Sequence, residues 1–472
     1  MLDQEISNLL AFAETNLLLD ELDCAQAARR IARLLKITEF MPVEAQEGVD
    51  AVASPNSLIE PLLSYALENK LVDEAGKAAL KAEIMDALML KPSEINDLFA
   101  DTYAVNKQKA FDFLYDYCVK SGYVDPEECA KNDRWEAKEL KSKIEIIINT
   151  MPAATTDGKY PKCALCHENE GYAGRANMRS VSTEIDGEEW FFDFSRHQYF
   201  DKHGVLVSAE HKPMAGGIDT MKKLALAADF IGQDGFVGVD SLAENGGAHN
   251  TAHEHFKTGF NQRNVPMLKQ GYKLRLKSQE YPYLEMGTVD WYPTVIRFSH
   301  SNLEKTVEFA AKLIEAWKGY SDERIPNDGK SNFCSVVCRK VNGKYIFDVV
   351  LRSSALKRPR MAAEFDEIKA GALSITDLLG YVVLPNKLSE DLKTAQLYLD
   401  GTLAFDVNAK TPLHKMVERI LKAQGGTVSK LEAKLNVHDE VDAVCEKILA
   451  STATFDNNTI FDFLGTLNIR EL

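Results

Sequence analysis

The chain has 472 residues, 45% of them hydrophobic, enough to bury a sizeable core in two or three domains. Its 55 basic residues stand against 71 acidic ones, a net charge of −16, which excludes a long basic track for nucleic acid and leaves any phosphate to a local cluster. The opening Met1-Leu2-Asp3-Gln4-Glu5 lacks the basic and apolar regions of a signal peptide, and no apolar run nears the ~20 residues that span a bilayer, so a soluble cytoplasmic protein without a membrane partner is expected.

In chain order, residues 1 to about 150 have helical periodicity throughout. Ile6, Leu9, Leu10 and Phe12 begin it, Ile59, Leu62, Leu63 and Ala66 recur at helical spacing, and Pro92-Ser93-Glu94 has the form of a helix start. From about 150 the texture changes. Trp190-Phe191-Phe192-Asp193-Phe194, Val205-Leu206-Val207 and Phe236-Val237-Gly238-Val239 are expected as strands, with a helix from Met221 to Ile231. A second strand-rich block holds Val295 to Phe298, Phe333 to Val337 and Tyr345 to Leu351, with an amphipathic helix from Leu303 to Trp317. From about 388 the pattern is helical again, and no short sequence repeat is visible. The eight cysteines are scattered, and a chain of this length needs no disulfide staples, so reduced thiols and a metal are the better expectation.

The densest chemistry lies in Asn245-Gly246-Gly247-Ala248-His249-Asn250-Thr251-Ala252-His253-Glu254-His255-Phe256-Lys257, which sets two imidazoles two residues apart behind a glycine turn. Upstream are Cys163-Ala164-Leu165-Cys166 and a lone His211, with His211 and His253 following 45 and 42 positions on in succession. Two thiolates and two neutral imidazoles suit a tetrahedral zinc, and four protein ligands with no open position would make the ion structural. The bland alternative is two buried thiols and unrelated surface histidines, and His203 and His167 compete for the third ligand. His255 is then left over. An imidazole with a reference pKa near ~6.5 is largely neutral in the cytoplasm and can attack a phosphorus atom without a strong base. Its second nitrogen needs a fixed acceptor, for which a backbone carbonyl near His253 is the best candidate. Gly246 and Gly247 would allow close backbone approach to phosphates, with Asn245 bonding the ribose or a phosphate oxygen, although a Gly-Gly pair alone is usually only a turn.

Several segments carry a resemblance that spans nearly the whole chain in order. Ser64-Tyr65-Ala66-Leu67-Glu68-Asn69-Lys70-Leu71-Val72-Asp73, Lys91-Pro92-Ser93-Glu94-Ile95, Cys163-Ala164-Leu165-Cys166-His167-Glu168-Asn169-Glu170-Gly171-Tyr172-Ala173-Gly174-Arg175 and Val382-Val383-Leu384-Pro385 resemble the bacterial class II galactose-1-phosphate (hexose-1-phosphate) uridylyltransferases, of the histidine-triad-like superfamily. The resemblance implies an α+β fold of duplicated histidine-triad-like halves with antiparallel sheets, preceded by an all-α segment. The expected division is a helical region over 1–150, a first half over 151–278, a second half over 279–400 and a helical segment over 401–472. It implies ping-pong transfer of UMP from UDP-glucose to a sugar 1-phosphate through a uridylyl-histidine on His255, by a cytoplasmic homodimer that binds no nucleic acid. It supports Cys163, Cys166, His211 and His253 as a structural zinc set, and gives Arg175, Asn177, Asn245, Gly246, Gly247 and Thr251 as nucleotide-binding residues.

The chain departs from the family at informative places. Lys257 stands where the family has a glutamine that bonds the transferring phosphoryl group; a lysine there could supply a full positive charge to the same oxygens, or be a solvated side chain on a drifted site. Arg175 could equally form an ordinary surface ion pair. Where relatives carry a histidine-rich run, this chain has Arg358-Pro359-Arg360-Met361-Ala362-Ala363, so a second metal is not expected. Ser331-Asn332-Phe333 and Leu351-Arg352-Ser353-Ser354 replace His-Asn-Thr and Arg-Asn-Asn. Two alternatives stay open: a nucleotide-sugar hydrolase or phosphorylase that resolves the adduct with water or phosphate, and a non-catalytic nucleotide-binding relative.

Overall fold

The computed structural model describes residues 2–138, 141–151, 160–172, 174–214, 216–240, 250–356, 368–369, 373–408 and 413–472. The chain opens with helices α1 (Leu2–Asn16), α2 (Glu21–Leu34), α3 (Asn56–Glu68), α4 (Lys77–Asp86), α5 (Pro92–Val105), α6 (Lys107–Lys120) and the short α7 (Pro126–Cys129). Their starts are written locally. Asp20 accepts the Leu22 amide at 2.8 Å, Asn106 accepts that of Lys109 at 3.0 Å, and Glu94 reaches back to the Lys91 amide at 2.8 Å. Ile6, Leu9 and Phe12 of α1 and Ile59, Leu62, Leu63 and Ala66 of α3 are buried at the expected helical spacing.

The expectation of helix up to residue 150 fails at its end. Strands β1 (Asp133–Glu136) and β2 (Glu145–Asn149) pair antiparallel, and β2 runs parallel to β13 (Tyr381–Pro385) in a small three-stranded sheet. The cause is Ile146-Ile147-Ile148, all fully buried: a strand covered on both faces shows no alternation and is hard to tell from helix by period.

Among the described residues the main sheet has eleven strands in the order β14-β8-β9-β10-β12-β11-β6-β7-β5-β4-β3. They are β3 (Val181–Ile185), β4 (Glu188–Phe194), β5 (Gly204–Ser208), β6 (Phe236–Val239), β7 (His255–Gly259), β8 (Tyr272–Ser278), β9 (Glu285–Val289), β10 (Val295–His300), β11 (Asn332–Val341), β12 (Lys344–Ser353) and β14 (Ile469–Glu471). Helix α8 (Ile218–Ile231) joins β5 to β6, and α9 (Leu303–Gly319) joins β10 to β11. The topology is duplicated. In each half three strands precede the helix and two follow it, the fifth pairs with the third, and the two fourth strands, β6 and β11, pair antiparallel at the seam. This is the α+β architecture of two antiparallel halves.

One face of the sheet meets α8, α9 and the N-terminal helices in a core that includes Phe111, Trp190, Phe192, Phe256, Phe298 and Trp317. The other face is covered over β6, β10, β11 and β12 by the small sheet and by α10 (Ile375–Leu379), α11 (Lys387–Leu399), α12 (His414–Gln424) and α13 (Lys430–Ala450). At β7 that apolar cover stops. The outward positions of β7 are His255 and Lys257, so both side chains stand at the rim of the second layer.

Candidate active site

Cys163, Cys166, His211 and His253 come together, their ligand atoms all within 4.8 Å of one another. Tetrahedral bonds of ~2.3 Å to sulfur and ~2.0–2.1 Å to nitrogen imply donor–donor edges of roughly 3.3–3.8 Å. The two sulfurs are 3.7 Å apart, Cys163 Sγ is 3.3 Å from His253 Nδ1, and Cys166 Sγ is 3.3 Å from His211 Nδ1 and 3.8 Å from His253 Nδ1. The set therefore fits a tetrahedral metal ion. His253 Nε2 lies 2.9 Å from the Ser208 carbonyl oxygen, a bond that fixes the tautomer and turns Nδ1 toward the thiols. Burial alone would raise the Cys163 thiol, yet hydrogen bonds from His253, the Leu165 amide and Cys166 bring it down to about 7, toward the thiolate a metal needs. His203 and His167 do not join the set. His167 stacks on Phe191 at 4.2 Å, and His203 Nδ1 faces the His197 carbonyl oxygen at 2.6 Å.

The chain around His253 is strapped on both sides. The Glu254 amide donates to the Lys212 carbonyl at 2.8 Å, and the Ser208 amide donates to the Glu254 carbonyl at 3.0 Å. The Glu254 side chain, between the two histidines, points to the opposite face, where it is buried 3.3 Å from Lys223 of α8. Strand β7 begins at His255, paired with Val207 of β5. His255 Nδ1 lies 2.8 Å from the carbonyl oxygen of His253, the acceptor expected from the sequence. Among the described residues no protein group is hydrogen-bonded to its Nε2. Burial pushes the imidazole down to about 4, with the charge of Lys257 adding to the fall and the bond to His253 opposing it, so the ring is neutral at pH 7.

Lys257, two positions on, shares that face. Its Nζ lies 3.1 Å from Asp240 Oδ2. Asp240 had no signal in the sequence, because an acid after a strand is common and its partner is 17 positions away. His203, a competitor for the third metal ligand in the sequence, is instead buried with Nε2 unpartnered among the described residues, and burial takes it down to about 3. Asp193 was missed in the sequence. Burial raises Asp193 of β4 to about 7, against the pull of Arg175.

Arg175 donates Nη1 to the Ala164 carbonyl at 2.7 Å, bracing the Cys163–Cys166 turn. Asn177 is buried, its amide donating to the Ser121 carbonyl at 2.9 Å, so it ties the end of α6 to this segment. Thr251 is exposed, its carbonyl accepting the Met214 amide at 3.0 Å. Asn245, Gly246 and Gly247 lie outside the described residues, as does the 358–363 segment.

Comparison with protein-family models finds no match. Individual relatives do match over most of the chain. Galactose-1-phosphate uridylyltransferase 1 of Streptococcus pneumoniae serotype 4 is 27% identical, covering 87% of this chain and 89% of that protein. The galactose-1-phosphate uridylyltransferase of Fusobacterium nucleatum subsp. nucleatum is 27% identical, covering 84% and 82%. That of Lactococcus lactis subsp. lactis is 26% identical, covering 98% and 99%. Among solved structures, yeast Ap4A phosphorylase Apa2 superposes with a TM-score of 0.34 at 11% identity over 56% of this chain and 82% of its own, too loosely to argue from. The chain is thus similar from end to end to several galactose-1-phosphate uridylyltransferases, and it folds as duplicated antiparallel halves.

Proposed function

We propose that this chain is a UDP-glucose:hexose-1-phosphate uridylyltransferase, moving UMP to galactose 1-phosphate or another hexose 1-phosphate in two displacements on His255. The observation that carries this reading is the held imidazole. Nδ1 donates to the His253 carbonyl at 2.8 Å, which leaves Nε2 with its lone pair outward on a strand fixed from both sides. In the first step Nε2 bonds to the α-phosphorus and the bond from that phosphorus to the bridging oxygen breaks, releasing glucose 1-phosphate. In the second, a phosphate oxygen of the acceptor sugar attacks, the phosphorus–nitrogen bond breaks and His255 returns neutral. Nδ1 keeps its proton throughout, and the His253 carbonyl dipole stabilises the cationic ring of the adduct.

Cys163, Cys166, His211 and His253 would hold zinc as a structural ion, which when bound clamps the 163–166 turn to the start of β7. Lys257 takes the place of the family glutamine at the transferring phosphoryl oxygens. Arg175, Thr251 and the Asn245-Gly246-Gly247 turn are assigned to the nucleotide, while Asn177, whose amide is already bonded to Ser121, serves by fixing the segment that carries Arg175. A cytoplasmic homodimer and the four-part division of the chain at 150, 278 and 400 rest on the family resemblance. No described helix is long and apolar enough to cross a membrane. Exchange of label between glucose 1-phosphate and UDP-glucose, without acceptor sugar, tests the first step: wild type exchanges and His255→Ala does not. Exchange that survives in His255→Ala removes the covalent mechanism.

A further inference from the structure

We infer that Asp240 is a positioning residue for this transfer: it fixes and neutralises Lys257, so that the two together do the work of one neutral amide beside the reacting phosphorus. The inference rests on the reading of His255 as nucleophile. His255 and Lys257 alternate along β7 and so share one face. Opposite Lys257 on β6 is Gly238, and Asp240 follows two positions on, on the same face. Asp240 is 7% exposed and both its oxygens are committed, Oδ2 to Lys257 Nζ at 3.1 Å and Oδ1 to the Ile375 amide at 2.5 Å. Gly238 makes this seat possible. A Cβ there would come within 3.2 Å of Ile375 Cγ1, so the missing side chain lets α10 settle over β6 and bring its first amide to Asp240.

The reason for the pair is charge. The family glutamine is neutral, and the His255 ring becomes cationic when phosphorus bonds to it. A bare ammonium two positions away would oppose that charge in a site of reduced dielectric. A fixed carboxylate cancels the excess while leaving the remaining ammonium hydrogens for phosphoryl oxygens. Removing either partner leaves the other's charge, buried on Asp240 and half-buried on Lys257, uncompensated. Removing both should restore the neutral arrangement.

The test is the single-turnover rate of uridylyl-enzyme formation from UDP-glucose in wild type, Asp240→Asn, Lys257→Gln and the double variant, with melting temperatures alongside. Asparagine keeps an oxygen for the Ile375 amide and removes only the charge. Each single change is expected to slow adduct formation on the order of 10-fold, and the double variant to return to within about 3-fold of wild type. Losses that multiply in the double variant, or an Asp240→Asn that matches wild type, overturn the inference. Lys257→Arg, which keeps the charge, should also outperform Lys257→Gln while Asp240 is present; the reverse order overturns it even if Asp240→Asn does not fold. A purely structural role would lower melting temperature in proportion to rate and show no rescue. A wild type that forms no adduct fails the reading of His255 itself, and this inference falls with it; an adduct without rescue fails the inference alone.

Discussion

A histidine that attacks phosphorus needs one nitrogen free and the other occupied, and His255 meets both conditions through a carbonyl two residues back on its own chain. Geometry therefore sets its tautomer without a side-chain partner that could drift. Lys257→Ala should depress turnover on the order of 10²-fold if the ammonium acts mainly on transition-state charge. Lys257→Gln should retain more activity than Lys257→Ala, because an amide still donates one hydrogen bond to the same oxygen; steady-state kcat for the two variants decides it. Asp193 makes a prediction about pH. Burial raises its carboxyl from the ordinary 3.8 to about 7. Between those values the unfolded chain has lost a proton that the folded chain keeps, so stability from this group falls as pH rises through that window and levels off above it. Asp193→Asn should therefore gain melting temperature over wild type by an amount that grows from pH 5 to pH 8, to roughly 5 °C. A gain that is flat with pH, or largest at pH 5, would contradict the assignment.

At the scale of elements, the two cysteines sit on a turn, while His211 follows β5 and His253 precedes β7, so the four-donor cluster ties the 163–166 turn to the paired β5 and β7 strands. Metal binding there couples to folding. About one zinc per chain is expected in freshly purified protein, and chelation or Cys163→Ala should lower the melting temperature by several degrees. Metal analysis that finds none in unchelated protein would sink this. The spacing of Cys163, Cys166, His211 and His253 made the cluster legible before the fold, because ligand types and order are carried by sequence. The strand that aims His255 was not legible as a strand. β7 is five residues with two glycine-or-polar ends and a histidine and lysine on its outer face, so it shows little alternation of apolar with polar residues. The apolar strands β4, β5, β6, β10, β11 and β12 and the helices α8 and α9 fall where their patterns predict them. β1, β2 and the terminal β14 do not, since two of them are short and β2 is a continuous buried run.

For the whole molecule, duplication is visible in topology and invisible as a sequence repeat: matching strand orders and helix placements need only matching hydrophobic patterns, not matching residues. The proposed catalytic groups lie in one half. His255 and Lys257 lie on the first half, whereas the corresponding face of the second carries Arg297, Arg339 and Asp348 in a buried network, with Arg297 Nε 2.5 Å from Asp348 Oδ1 and Arg339 Nη2 3.5 Å from Asp348 Oδ2. The net charge of −16 belongs to this scale too, and random duplex DNA should show no salt-sensitive submicromolar binding in a mobility-shift assay at physiological salt. The most direct test is intact-protein mass spectrometry after incubation with UDP-glucose, followed by a chase with galactose 1-phosphate and other sugar 1-phosphates. Wild type should gain the mass of one uridylyl group on His255 and lose it in the chase, and His255→Ala should gain nothing. A wild type that carries no adduct with any uridine or adenosine donor, or a His255→Ala that still does, would contradict the proposed mechanism.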